Sequence, residues 1–128
     1  MIEALFNGQS YQAAREMMDA TVLRQQAIAA NIANVETPGY KRVDVAPDFA
    51  AQLNSALQRG DTRELGAVQA RLVEDTSAKA VRPDGNTVEI EKELMLLGRN
   101  NTEFNFLAQV VSTDIRNLRM AITGKSTG

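Results

Sequence analysis

Along the last third of the chain, apolar residues recur at alternating steps of four and three. From Ile90 the steps reach Leu94, Leu97, Asn101, Phe104, Ala108, Val111, Ile115, Leu118 and Ile122, and only Asn101 is polar. Such a heptad seam predicts a long helix packed along another helix. Asp84-Gly85-Asn86 reads as a turn before it, with Asn86 as the expected helix cap and Glu89 in the place of a capping-box carboxylate. Glu89, Glu91 and Glu93 suit the positive end of a helix, and Arg116, Arg119 and Lys125 the negative end, with Gly124 as the stop.

A second helical pattern covers about Ser10 to Asn34. Its stripe holds Tyr11, Ala14, Met18, Val22, Ala29 and Ile32, with Gln25 in the same row, and a neighbouring row adds Thr21, Ile28 and Val35. Glu36-Thr37-Pro38-Gly39-Tyr40 ends it, and Pro38 followed by Gly39 suits the centre of a type II turn. Between the two patterns, Val43 and Val45 predict a short extended piece. Asp48 is expected to cap a short helix with Phe49, Leu53, Ala56 and Leu57 on one face and Gly60 after it. Residues 67–82 alternate loosely, through Val68, Ala70 and Leu72, as a strand or an irregular hairpin.

The predicted fold class is therefore mainly α. Long N- and C-terminal helices pair as an antiparallel coiled coil, and the middle segment is small and mixed or irregular. The boundaries are 1–35 for the first helix, 36–86 for the turn, short helix and extended segment, and 87–128 for the long second helix of the same coiled-coil domain. At 1.5 Å per residue the two helices span roughly 36 and 54 Å, so the longer overhangs by roughly 18 Å. Part of its seam then lacks a partner within one subunit. A two-helix pair buries one stripe per helix, which barely offsets the entropy of ordering. Neighbouring subunits would supply the missing burial.

Composition narrows the chemistry. Fourteen basic and 16 acidic residues give a net charge of −2, without the basic excess of a nucleic-acid binder. The chain has neither cysteine nor histidine, which removes disulfides, the commonest zinc ligands and the usual base of nucleophilic catalysis. No catalytic, cofactor or metal site is expected. The Glu89/Glu91/Glu93 run reads as helix-start electrostatics. The beginning of the chain lacks the basic start and apolar run of a cleaved signal peptide, and no apolar stretch is long enough to span a membrane.

At Ala29-Ala30-Asn31-Ile32-Ala33-Asn34-Val35-Glu36-Thr37-Pro38-Gly39-Tyr40-Lys41 the sequence resembles the signature of the flagellar basal-body rod and hook family. Arg42-Val43-Asp44, Asp48-Phe49, the run from Asp84 to Glu93 and the run Leu118-Arg119-Met120-Ala121-Ile122 are similar to its proximal rod members. The matching blocks, about residues 20–50 and 84–123, cover just over half the chain. The resemblance implies a structural subunit of the proximal rod, the shaft that carries motor torque, in the basal body across the periplasm. It implies export through the flagellar type III apparatus without signal cleavage. The implied partners are the chain itself, FlgC-like and FlgF-like rod subunits, a FliE-like membrane-ring adaptor and the membrane ring, with no nucleic acid or small-molecule substrate. The competing classes are a soluble coiled-coil adaptor or chaperone of a secretion system, which has little need of the Thr-Pro-Gly-Tyr turn, and an enzyme, for which no recognisable constellation exists.

The motif residues Asn31, Asn34, Thr37, Pro38, Gly39 and Tyr40 are expected to cap the first helix and shape the turn. Asn31 and Asn34 could also tie the loop to a neighbour, and Tyr40 could pack locally or against another subunit. Lys41-Arg42 reads as a solvated pair, and Met17-Met18 as core. The expected assembly interface comprises Met18, Val22, Ile28, Ile32, Leu94, Leu97, Phe104, Val111, Ile115, Leu118 and Ile122, with Asn101 as either a register device or a solvated defect. Ile2, Leu5 and Phe6 are candidate apolar contacts for export.

Overall fold

The structure, a computed structural model, describes residues 8–123. Ile2, Leu5, Phe6, Gly124 and Lys125 lie outside that range. Helix α1 runs from Gly8 to Ala33, strand β1 from Val43 to Val45, α2 from Asp48 to Arg59, α3 from Thr62 to Ala67, β2 from Leu72 to Glu74 and α4 from Ile90 to Thr123. The chain is mainly helical, with two long terminal helices around a small mixed middle.

Alanine, the strongest helix former, gives α1 a thin body that others can approach on two sides. Ala13 and Ala20 are buried in a cluster with Val45, Phe49, Leu53, Ala56, Leu65 and Val68, so the middle segment packs on one side of α1. Ile28 and Thr21 are buried as well, and the Thr21 carbonyl accepts a hydrogen bond from Asn100 of α4 at 2.8 Å. Asn31, ten residues later in α1, meets Glu93 near the start of α4. α1 is thus the central element, and α4 packs chiefly on α1. At 34 against 26 residues, α4 outruns the described part of α1 by about 12 Å.

The middle segment departs from the expectations in three places. Asp48 begins α2, but Pro47 holds the cap position and no side chain caps it; Asp48 instead accepts from Gln52 and pairs with Arg71. The left-handed Gly60, φ +71°, ends α2 as expected. Helix α3, which periodicity did not reveal, begins where Asp61 accepts the Arg63 N–H, and buries Leu65 completely. Within 67–82 only Leu72–Glu74 is strand. It pairs antiparallel with β1 in the register Val43 to Glu74, Asp44 to Val73 and Val45 to Leu72.

Candidate functional site

The family-like motif folds into a buried polar junction. Thr37 O accepts the Tyr40 N–H at 3.2 Å around Pro38 and Gly39, and Gly39 has φ +73°, as a type II turn requires. Asn34 holds the turn from inside: its amide donates to Ala30 O at 2.8 Å and its Oδ1 accepts from the Thr37 hydroxyl at 3.0 Å. The Asn31 side chain, expected to cap the helix, reaches across to β1 instead. Its Oδ1 accepts the Val43 N–H and its Nδ2 donates to the Val43 carbonyl, both at 2.9 Å, so its side chain pairs with β1 as another strand would. The Tyr40 hydroxyl also donates to Asn31 Oδ1, at 3.2 Å. Burial, followed by the nearby Glu93 charge, pushes the Tyr40 hydroxyl above its ordinary pKa.

Three expectations fail here. Glu93 is no helix-start ornament: it is 1% exposed and accepts from Arg42 Nε at 2.8 Å and from Asn31 Nδ2 at 3.3 Å. Arg42, read as half of a solvated pair, is buried, and its guanidinium also pairs with Asp75 and Asp44. Burial opposes the Arg42 charge, but hydrogen bonds to Glu93 and Asp75 and the charges of Glu93 and Asp44 more than offset it, raising its pKa further above its ordinary value. Lys41 is exposed and donates to Gly85 O. Asn86 does not cap α4, which starts at Ile90. Its Nδ2 donates to the carbonyls of Asn34, Val35 and Thr37, and its Oδ1 accepts the Val88 N–H. It fastens the end of α1 to the approach of α4. Arg82 donates to Val35 O in the same place.

The predicted apolar seam of α4 divides between core and surface. A helix turns about 100° per residue. Glu93, Asn100 and Leu107, seven apart, are the buried line. Leu97, Phe104 and Val111 lie about 40° from it and are half-buried. Leu94, Asn101 and Ile115 lie about 100° round and are exposed. Asn100, not Asn101, is therefore the asparagine that faces inward, and its Oδ1 has no partner among the described residues. Leu94 is 54% exposed, Ile115 42% and Val22 on α1 49%. Met18 and Ile32 are half-buried, while Ile28 is fully inside the subunit. Leu118 and Ile122 lie outside the described side chains. Met95 and Phe106, which the heptad pattern did not single out, are also exposed, at 57% and 66%.

A cleft of about 380 Å³ opens beside Arg42, lined also by Ser77, Lys79, Lys92 and Leu96. Its charged walls balance, and among the described residues no group of carboxylates is placed to hold a metal ion. No described helix is long and apolar enough to cross a membrane.

Comparison with known proteins agrees with this geometry. The family described as "Flagella basal body rod protein" matches residues 12–41, the stretch from α1 through the Pro38-Gly39 turn. The chain is similar to the flagellar basal body rod protein FlgB of Escherichia coli, with 29% identity over 120 residues, covering 81% of this chain and 86% of that one. FlgB of Salmonella typhimurium is 29% identical over 127 residues, covering 86% and 90%. FlgB of Borrelia hermsii is 28% identical over 132 residues, covering 88% and 95%. The matched stretch includes the helix and turn that Asn31, Asn34 and Tyr40 hold together, and the relatives extend over both terminal helices: over most of its length the chain is similar to flagellar basal body rod proteins, and the likeness supports a structural rod subunit of FlgB type.

Proposed function

We propose that this subunit polymerises through its two terminal helices into the torque-transmitting shaft of the proximal rod. Residues 1–35 and 87–128 act as one antiparallel coiled-coil domain, and residues 36–86 brace it from the side. The observation that carries this reading is the apolar flank of α4 with Leu94 and Ile115, exposed beside a face already packed on α1. Large exposed apolar groups in a row mark an interaction surface, and a filament grows through contacts between unlike faces that do not close.

The interface proper is assigned to Val22, Leu94 and Ile115, flanked by the half-buried Met18, Ile32, Leu97, Phe104 and Val111. Leu118 and Ile122 continue the same seam in sequence. Ile28 supports it from within. Partners are further copies, FlgC-like and FlgF-like rod subunits, a FliE-like adaptor and the membrane ring. The chain reaches the basal body through the type III export apparatus without a cleaved signal peptide. No catalytic role is assigned. The junction of Asn31, Arg42 and Glu93 acts as the rigid joint between α1, β1 and α4.

Leu94→Asp tests the assignment. The side chain is exposed, so the purified variant keeps its helix content by circular dichroism, with stability within about 0.5 kcal/mol. Incorporation into isolated basal bodies and swimming are both lost, because a charge would be buried unpaired in the assembled rod. Normal swimming by the Leu94→Asp strain would remove this flank from the interface.

A further inference from the structure

We infer that the subunit carries a head-to-tail contact made of an acidic groove on α1 and a basic, apolar ridge on α4, and that the occupant of the groove is the ridge of a second copy. This rests on the rod-subunit reading and names the surfaces that would join successive copies.

The groove, about 450 Å³, lies between α1 and the segment after α3, lined by Glu16, Asp19, Val22, Leu23, Gly66 and Ala70. Its lining mixes the apolar Val22, Leu23 and Ala70 with Gln69 and the two carboxylates of Glu16 and Asp19. Val22 stands half-exposed at its edge. Asp19 is exposed, and its side chain has no partner among the described residues.

The ridge is a second row on α4, distinct from the seam. Met95, Arg99, Thr102 and Phe106 follow steps of four, three and four, so they share one side of the helix. All four are exposed. Arg99 stands between the two most exposed large apolar side chains of the molecule's described part, Met95 and Phe106, and it too has no side-chain partner there. Gly98 beside it has open space where a Cβ would stand, which lets another backbone come close.

Sign and polarity therefore match: an anionic apolar groove and a cationic apolar ridge on different helices of the same chain. Because they are different surfaces, pairing them leaves a groove and a ridge free at opposite ends, as an open assembly requires. Copies in such an assembly share one orientation, so the ridge of one copy runs opposite to α1 of the next. With Arg99 at Asp19, that direction sets Met95 over Val22.

The chain has no cysteine, so the full-length protein can be tested by disulfide trapping in flagellated cells. Val22→Cys and Met95→Cys in one chain should give an open ladder of cross-linked copies in isolated basal bodies, and the two single variants expressed together should stop at a dimer. Asp19→Arg or Arg99→Asp added to the pair should each cut cross-linking about tenfold, while both together restore it and Arg99→Lys retains it. Helix content by circular dichroism separates these effects from misfolding. The proposal is overturned if the chain enters basal bodies and no 22–95 link forms, or if the link ignores both charge reversals. Absence of the unmodified chain from basal bodies would overturn the rod reading itself, and this contact with it.

Discussion

Glu93 is the residue on which the junction turns. It is the buried acceptor for both Arg42 and Asn31, so removing it takes from the guanidinium its most buried partner and leaves it to Asp75 and Asp44 at the cleft. Breaking such a pair costs about 3–5 kcal/mol, more than the pair is worth against an apolar replacement. Glu93→Ala should accordingly lower stability by about 3 kcal/mol in urea unfolding, with the double variant Glu93→Leu, Arg42→Met recovering much of it. A Glu93→Ala loss below about 1 kcal/mol would mean that Asp75, Asp44 and water entering from the cleft satisfy Arg42 without Glu93. Asp75 brings a pH dependence. Hydrogen bonds from Ser77, against a smaller opposing effect of burial, and then the bond from Arg42, hold its carboxyl below the ordinary carboxylate range. A depressed folded pKa gives stability that is present above the unfolded value, about 4, and lost as pH falls through the folded one. Ser77→Ala should therefore flatten the acid limb of the stability curve and leave stability at pH 7–8 less changed than Asp75→Asn does. None of this was legible from local sequence. A charge in a polar stretch looks solvated, and only the fold brings Arg42, Asp75 and Glu93, far apart in the chain, into one place.

At the scale of elements, the turn and both long helices could be read directly, because the signals are local: a helical period and Pro before Gly. Gly39 needs its positive φ, and its missing side chain faces Asp84 O, with Gly85 stacked close by. Gly39→Val should cost about 1–2 kcal/mol and disturb the joint between α1 and α4 more than total helix content. The expected outcome is a folded subunit with near-normal circular dichroism and a non-motile strain, and wild-type swimming would count against a structural role for the turn. Elements that depend on distant partners were harder to see. α3 is short, without a clear period, and exists because Asp61 caps it and Leu65 finds the core. The α4 seam was read about one residue out of phase: periodicity detects apolar residues, but the line facing α1 is Glu93, Asn100 and Leu107, two of them polar. Buried polar residues are invisible to a hydrophobic pattern, although Asn100 and Glu93 set which face α4 turns inward.

For the molecule as a whole, α4 presents more apolar surface than α1 can cover, and the account holds that neighbouring subunits cover the rest. The measurement is single-cysteine labelling at Ile115, in a chain with no other thiol. Ile115→Cys is labelled by a soluble maleimide in the free subunit and in intact isolated basal bodies, and the two rates are compared. The side chain at 115 is exposed in the single subunit, so fast labelling is expected there. The account predicts much slower labelling in the rod, as expected when a surface group enters the packed core of an interface. Equal rates in the free subunit and in the rod would contradict it, because this flank of α4 would then face solvent in the assembled shaft.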